Sequence, residues 1–140
     1  MRLGADEARR RFTAVPVARL ATVGPAGQPH IVPVTFAVDG DLVYTAVDAK
    51  PKQTTRLQRL RNILANPHVA LLADHYDADW DRLWWVRADG LATIAEHTAG
   101  VTGLPALLAA RYPQYRERPP AGPVIRVAVR RWTGGAAAGR

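Results

Sequence analysis

The sequence predicts a mainly β domain, an α+β or β-barrel protein in which short helices flank a closed or nearly closed antiparallel sheet. Short segments rich in Val, Thr and aromatic residues recur along most of the chain. Tight turns at Gly24-Pro25-Ala26-Gly27 and Asp39-Gly40 join the first three segments, which predicts an antiparallel meander. The segments do not alternate regularly with helices, as the strands of a doubly wound parallel sheet do.

The first half of the chain contains one short predicted helix and the three strands of this meander. Residues 6–13 predict the helix, because Ala8 and Phe12 stand four apart on one side. The strands are predicted at residues 17–23, 29–38 and 41–47. Since Pro33 has no backbone N–H, we expect the second strand to lie at a sheet edge or to carry a bulge there.

The second half of the chain contains two predicted helices and three predicted strands. We predict helices at 53–64 and 104–112, and strands at 68–76, 83–95 and 124–132, the second of these strands interrupted by a turn or bulge at Asp89-Gly90. Residues 1–132 are predicted to form a single domain. Residues 133–140 are rich in Gly and Ala, so we predict a disordered C-terminal tail.

Composition narrows the function classes. The 140 residues lack an apolar run of the roughly 18 to 20 residues that a membrane helix needs, and the N-terminus lacks the apolar centre of a signal peptide. Cysteine is absent, so a reducing cytoplasm is the expected location and no membrane partner is expected. The net charge of +7, nearly all from arginine, favours anionic ligands.

Several common kinds of site are missing from the sequence. It has no serine, no P-loop, no G-x-G-x-x-G and no H-E-x-x-H. The aspartates at 77, 79 and 81 imitate an EF-hand loop, but Arg82 and Ala88 occupy the glycine and glutamate positions. The four histidines lack metal-ligand spacing. We therefore predict no metal and no catalytic side chain, and we expect the chemistry to come from a cofactor.

A basic segment between a strand and the start of a helix is a candidate anion site. Lys50, Lys52 and Arg56 stand within seven residues, together with the hydroxyl donors Thr54 and Thr55. A helix N-terminus favours an anion because its N–H groups carry partial positive charge. The segment is either a phosphate site or a solvated basic turn, and charge alone leaves both open.

The adjacent Trp84 and Trp85 are a second candidate feature. On a strand their indoles point to opposite faces of the sheet. One is expected in the core. The other either packs as well or lines a flat aromatic ligand or a dimer interface.

At these segments the chain resembles a known family. The first motif is Lys50-x-Lys52…Leu57-x-x-Leu60-x-Asn62-x-x-x-Asn66-Pro67-x-Val69-Ala70-Leu71, and it resembles the pyridoxamine 5'-phosphate oxidase-like split β-barrels. The second motif is Asp74-His75-Tyr76-Asp77…Trp80…Leu83-Trp84-Trp85-Val86-Arg87-x-Asp89-Gly90-x-Ala92. It looks more narrowly like an actinobacterial branch that uses the deazaflavin coenzyme F420. The resemblance covers about residues 10–132.

The resemblance implies an FMN-binding-like split β-barrel that works as a homodimer, with each cofactor in a groove between two subunits. It places a basic residue before the helix on the cofactor's phosphate and the second and third strands along the cofactor. Carried onto this chain, it assigns the phosphate to Lys52, Lys50 and Gln53, and the ring system to the run His30, Val32, Pro33 and Thr35. It assigns the ribityl chain to Thr45 and the closing of the site, from either subunit, to Trp85 and Arg87.

The function expected from this resemblance is an F420-dependent oxidoreductase that transfers a hydride to or from an unknown small organic substrate. His30 and Thr35 stand where classical oxidases of the family have basic residues, which argues against pyridoxamine phosphate as the substrate. FMN on the same fold is the nearest alternative. A non-enzymatic carrier of a cofactor or haem-like ligand remains open. Nucleic-acid binding by arginines with stacking Trp and Tyr is a further alternative, but we expect no nucleic-acid partner because the basic residues form no single stripe.

Overall fold

The computed structural model describes residues 1–47 and 57–137. Within these ranges the chain forms four α-helices: α1 (Ala5–Ala14), α2 (Gln58–Ala65), α3 (Leu104–Arg111) and α4 (Gln114–Glu117). It also forms seven strands: β1 (Ala18–Val23), β2 (Pro29–Val34), β3 (Ala37–Asp39), β4 (Leu42–Ala46), β5 (His68–His75), β6 (Trp84–Ala95) and β7 (Val124–Ala136). In the described ranges no helix is long and apolar enough to cross a membrane.

The seven strands form one antiparallel sheet in the order β2-β1-β5-β6-β7-β4-β3. Its two outermost strands, β2 and β3, follow each other in the chain and are separated only by Thr35 and Phe36. This short covalent link joins the two edges, so the sheet closes on itself and the predicted split β-barrel is confirmed. Pro33 lies on β2, which confirms the predicted edge position.

The second predicted strand, 29–38, is divided in the structure. Its first part pairs with β1 and its second part pairs with β4. The prediction of one continuous strand in a simple meander is therefore wrong. A strand that changes partners must leave the first neighbour before it reaches the second, and the break at Thr35-Phe36 is where this happens.

The main core fills the barrel interior. Its fully buried members include Leu20, Leu71, Val86 and Ile125. At one end α1 inserts Phe12, whose ring centroid lies 4.7 Å from that of Phe36. The helix α2 adds its own apolar side chains to the same core, Leu60 and Ile63. The barrel therefore has a packed interior rather than an open lumen.

A smaller core lies outside the barrel wall. The helix α3 buries Leu104 and Leu108 against Tyr44, Ala46 and Val124. No such helix covers the outer side of β2 and β1 in the described ranges, where Ile31 is 64% exposed and Arg19 is also exposed. The outer side of the barrel is thus covered by a helix at β4 and β7 and exposed at β2 and β1.

The C-terminal segment belongs to the barrel. Residues 133–136 pair with β6, and Leu3 N–H donates to Gly134 O at 3.0 Å on the opposite side. Ala136 N–H donates to Met1 O at 2.9 Å. The prediction of a disordered tail is wrong for residues 133–136, because hydrogen bonds on both sides hold a segment whose Gly and Ala content suggested flexibility. Residues 138–140 lie outside the described ranges.

The interruption of β6 at Asp89-Gly90 is a β-bulge, where the register with β7 shifts by one residue. A Cβ atom on Gly90 would lie 2.3 Å from Ala128 O and 3.0 Å from the Val127 side chain. Backbone cannot move aside as a flexible side chain can, so this position requires glycine.

We predict that Gly90→Ala lowers the free energy of unfolding by about 1 to 3 kcal/mol, the usual cost of overpacking a buried site. Urea titration followed by far-UV circular dichroism measures this loss. Gly100→Ala is the matched control, because nothing lies within 4 Å of a Cβ atom built there. Equal midpoints for the two variants would show that the bulge accepts a side chain.

Candidate functional site

The predicted site residues that the structure describes lie on two opposite faces of the sheet, and the others fall outside the described ranges. Because strand side chains alternate, His30, Val32 and Thr45 share the parity of the buried Leu20 and Val43. The outward-facing set is Pro33, Trp85 and Arg87. Thr35 lies in the break between β2 and β3. The predicted phosphate ligands Lys50, Lys52 and Gln53 lie outside the described residues.

The outward set belongs to one continuous sheet surface. Cross-strand pairing places the following residues side by side: Pro33, Arg19, Leu72, Arg87 and Thr133. Pro33 and Arg87 are therefore three strand spacings apart, about 14 Å. We call these five residues the outer row. It combines two guanidinium groups with apolar surface between them, which suits a long, flat ligand that carries negative charge.

Arg87 uses only part of its hydrogen-bonding capacity within the described residues. Its Nε donates to Asp89 Oδ2 at 3.0 Å, and 43% of its side chain is exposed. An exposed ion pair of this kind contributes little to stability. Among residues 1–47 and 57–137, the other N–H groups of this guanidinium have no partner, so they can bind a ligand or another subunit.

The two adjacent tryptophans point to opposite faces, as predicted. Trp84 packs against the barrel core, with the Arg11 guanidinium carbon 6.0 Å from its ring centroid. Trp85 lies on the outer face opposite Gly135, where an added Cβ would be 2.8 Å from the indole Nε1. The glycine lets the indole lie close against β7, next to the outer row.

A polar network at the α2 end of the barrel lies beside His30. Thr22 stands directly opposite His30 on β1 and accepts a hydrogen bond at 2.9 Å from Asn62 Nδ2. Asn62 Oδ1 in turn accepts from Gln58 Nε2 at 2.6 Å. This network ties α2 to β1. The sequence reasoning gave Asn62 no site role, although a buried amide on the apolar face of a helix was a signal that could have identified it.

Two buried polar atoms lack a hydrogen-bond partner among the described residues. They are His30 Nδ1 and Thr133 Oγ1. Such atoms are uncommon because each costs about 1 to 3 kcal/mol. His30 is a predicted site residue, and Thr133 is paired with Arg87 in the outer row. Only His30 was predicted as a ligand contact, whereas Thr133 belongs to the predicted tail, and the two residues lie on opposite faces of the sheet.

Arg59 adds a positive charge near the start of α2. It is partly buried, and burial lowers the pKa of its guanidinium from the ordinary value. It forms no ion pair with any residue in the described ranges. A desolvated cation without a carboxylate is stabilised by a bound anion.

The predicted ligand contacts Thr35 and Thr45 are respectively hydrogen-bonded to another side chain and buried in the barrel. The Thr35 hydroxyl lies 2.9 Å from the Tyr115 hydroxyl, a partner that sequence reasoning did not identify. Thr45 is 2% exposed and faces the barrel interior opposite Ile125. The described geometry therefore does not present the Thr45 hydroxyl at the surface.

Three clefts are formed by described residues. Two, of about 580 and 370 Å³, flank α1, and one of about 270 Å³ lies beside α3. None of these three is lined by a predicted site residue. On the outer row Arg19 and Arg87 reach solvent, so a covering element is needed before this surface can enclose a ligand.

The fold defines a split-β-barrel protein, and the outer row is a candidate ligand surface on its wall. The family model described as pyridoxamine 5'-phosphate oxidase matches residues 5–134, nearly the whole chain. The chain belongs to this family.

Known proteins agree with this assignment. The chain is 38% identical over 56 residues to a 5a,11a-dehydrotetracycline/5a,11a-dehydrooxytetracycline reductase of Streptomyces rimosus. That match spans 40% of this chain and 38% of the relative, so the chain covers well under half of that enzyme.

Two solved structures share the fold. A conserved hypothetical protein of Mycobacterium tuberculosis superimposes with a TM-score of 0.73 at 22% identity, covering 93% of this chain and 82% of that one. A FAD-binding protein of Mesorhizobium loti gives a TM-score of 0.70 at 20% identity, covering 96% and 95%. At these identities the likeness establishes the fold alone.

We predict that His30→Leu leaves the ligand-free protein as stable as the parent or stabilises it by about 1 kcal/mol, because it removes a buried atom that has no partner. Urea titration measures the change. His68→Leu, at an exposed position on β5, is the control. A loss of more than about 1 kcal/mol in His30→Leu alone would show that His30 already has a stabilising contact.

Proposed function

We propose that this protein is a cytoplasmic oxidoreductase that binds a flavin-type cofactor, specifically the deazaflavin F420, and acts on a small organic substrate. FMN on the same fold is the alternative cofactor. Membership of an oxidase family across residues 5–134 supports the general class. The reductase from Streptomyces rimosus and the FAD-binding protein of the same fold favour a reductive, flavin-type chemistry.

The observation that carries the proposal is the unpartnered buried hydroxyl of Thr133, which lies opposite Arg87 on the outer row. A flavin-type ring offers carbonyl oxygens and ring N–H groups along its edge, which suit a hydroxyl and a guanidinium. His30 Nδ1 lies on the inward face of the sheet and is not part of this surface. The outer-row residues therefore fit such a cofactor.

The charges fit its anionic groups. Lys52, with Lys50 and Gln53, is proposed to hold the phosphate, and the partly buried Arg59 adds a cation on the helix that follows. Arg19 and Arg87 offer further N–H donors on the outer row. When bound, F420 supplies hydride transfer at C5 of its deazaflavin ring. The protein's own task is to bind, orient and exclude water, so no acid–base pair is needed.

We predict that Lys52→Ala weakens F420 binding by about 1 to 3 kcal/mol, or roughly 5- to 150-fold in Kd, because a charge-assisted contact is lost. Quenching of tryptophan fluorescence during titration measures Kd. Arg118→Ala removes the same charge from an exposed position and serves as the control.

Parallel titrations of the parent protein with F420 and FMN test the proposal itself. Tighter binding of F420 supports the deazaflavin assignment, whereas tighter binding of FMN moves the chemistry to flavin and keeps the fold. Binding of either without turnover with any electron acceptor would indicate a carrier. Equal F420 affinity in Lys52→Ala and the parent would remove Lys52 from the phosphate site.

We further propose that the outer sheet face is covered by a second copy of this chain, so that the cofactor lies between two subunits. Ile31 is 64% exposed and lies two residues before Pro33 on β2, on the same outward face as the outer row. Exposed apolar surface beside charged groups is typical of protein interfaces. A second subunit would also enclose the outer row.

We predict that Ile31→Glu converts a dimer into a monomer, because it introduces a charge into the proposed covered surface. Size-exclusion chromatography with light scattering measures the mass. Leu64→Glu places the same charge on the exposed side of α2, where Leu64 is 78% exposed, and should leave the mass unchanged. A parent protein that is monomeric at all concentrations would contradict the interface.

A further inference from the structure

A cleft beside α3 has features of a ligand site and is separate from the outer row. It has a volume of about 270 Å³ and lies between β3, β4 and the start of α3. Its apolar walls include Val38, Val101, Leu104 and Leu107. The polar side chains at the cleft are Asp39, Tyr44 and Thr102.

Tyr44 is the central feature of this cleft. Only 8% of the residue is exposed, yet its hydroxyl forms no hydrogen bond with any residue in the described ranges. Buried tyrosines usually satisfy this group. Here the hydroxyl is left free where the ring lines the cleft.

The start of α3 offers few free donors to this cleft. The Leu104 N–H donates to Val101 O at 3.1 Å, and the next residue, Pro105, has no N–H. The Tyr44 hydroxyl is therefore the donor considered for a ligand. Asp39 lies at the same cleft and opposes a negatively charged ligand. A hydroxyl donor next to a carboxylate favours a neutral hydrogen-bond acceptor over an anion.

We propose that this cleft binds a small neutral molecule of about the size of one substituted ring, with a carbonyl or ether oxygen that accepts a hydrogen bond from the Tyr44 hydroxyl. A cavity of about 150 Å³ holds benzene, and sites for larger ligands occupy about 300 to 1,000 Å³. At about 270 Å³ the cleft accommodates a ring with one substituent. None of its lining residues belongs to the outer row, so it is an additional site, whichever cofactor the protein binds.

Acetophenone is a suitable probe, since it combines a single ring with a carbonyl acceptor. Titrated into ¹⁵N-labelled protein without cofactor, it is expected to shift the amide signals of Tyr44, Val101, Leu104 and Leu107. Ethylbenzene has the same shape without the acceptor, and benzoate has a negative charge. Both are expected to bind more weakly than acetophenone.

Tyr44→Phe keeps the ring and removes only the hydroxyl. It should weaken acetophenone binding about 5- to 10-fold, the equivalent of one hydrogen bond, and abolish the preference over ethylbenzene. Tyr76→Phe, at a residue that is 63% exposed, is the control and should bind like the parent. Leu107→Trp should fill the cleft from a position that is 38% exposed and block both probes.

The outcomes separate clearly. Shifts confined to the cleft, lost in Leu107→Trp and reduced for acetophenone in Tyr44→Phe, support the site. Shifts elsewhere, no saturable shift, or unchanged affinity in a folded Tyr44→Phe would overturn it. Because the experiment contains no cofactor, its result is independent of whether F420 or FMN binds the outer row.

Discussion

One hydroxyl group holds together the point where the barrel closes. The sheet is continuous only because Thr35 and Phe36 link β2 to β3, and a strand that changes partners there leaves main-chain groups without ladder hydrogen bonds. Tyr112 supplies them, since its hydroxyl accepts from Phe36 N–H at 3.0 Å and lies 2.9 Å from Pro16 O and 3.0 Å from Phe36 O. The rest of the topology depends on this junction.

Arg111, the neighbouring residue, fixes the junction to α1. Its guanidinium donates to Thr13 O at 2.6 Å and to Val15 O, at the end of that helix, and lies 4.6 Å from the Phe36 ring centroid. These contacts hold the helix that inserts Phe12 into the barrel end. The helical region of α3 and α4 also fixes Thr35 through Tyr115. Barrel closure and the orientation of a predicted site residue therefore depend on the same helices.

The sequence predicts local features of this fold well and long-range features poorly. Alternating side chains located most strands, Asp89-Gly90 marked the bulge, and Pro33 identified an edge. The division of the second strand was missed because it depends on Tyr112, 76 residues away from Phe36. For the same reason residues 133–136 looked disordered, although Met1–Leu3 and β6 hold them. At the site, parity placed the tryptophans correctly, but it could not reveal which polar atoms lack partners.

The packed interior determines where a flat cofactor can lie. Side chains such as Leu20, Leu71, Val86 and Ile125 are fully buried inside the barrel, so a ring system has to bind on the wall. An open wall leaves water in contact with the reacting atoms, and hydride transfer benefits from its exclusion. A cofactor on the outer row is shielded only when another surface covers that row. Under the proposed function, binding a flavin-type cofactor and associating with a second subunit are therefore two aspects of one requirement, and exposed Ile31 and the partly exposed Arg87 lie on the same face.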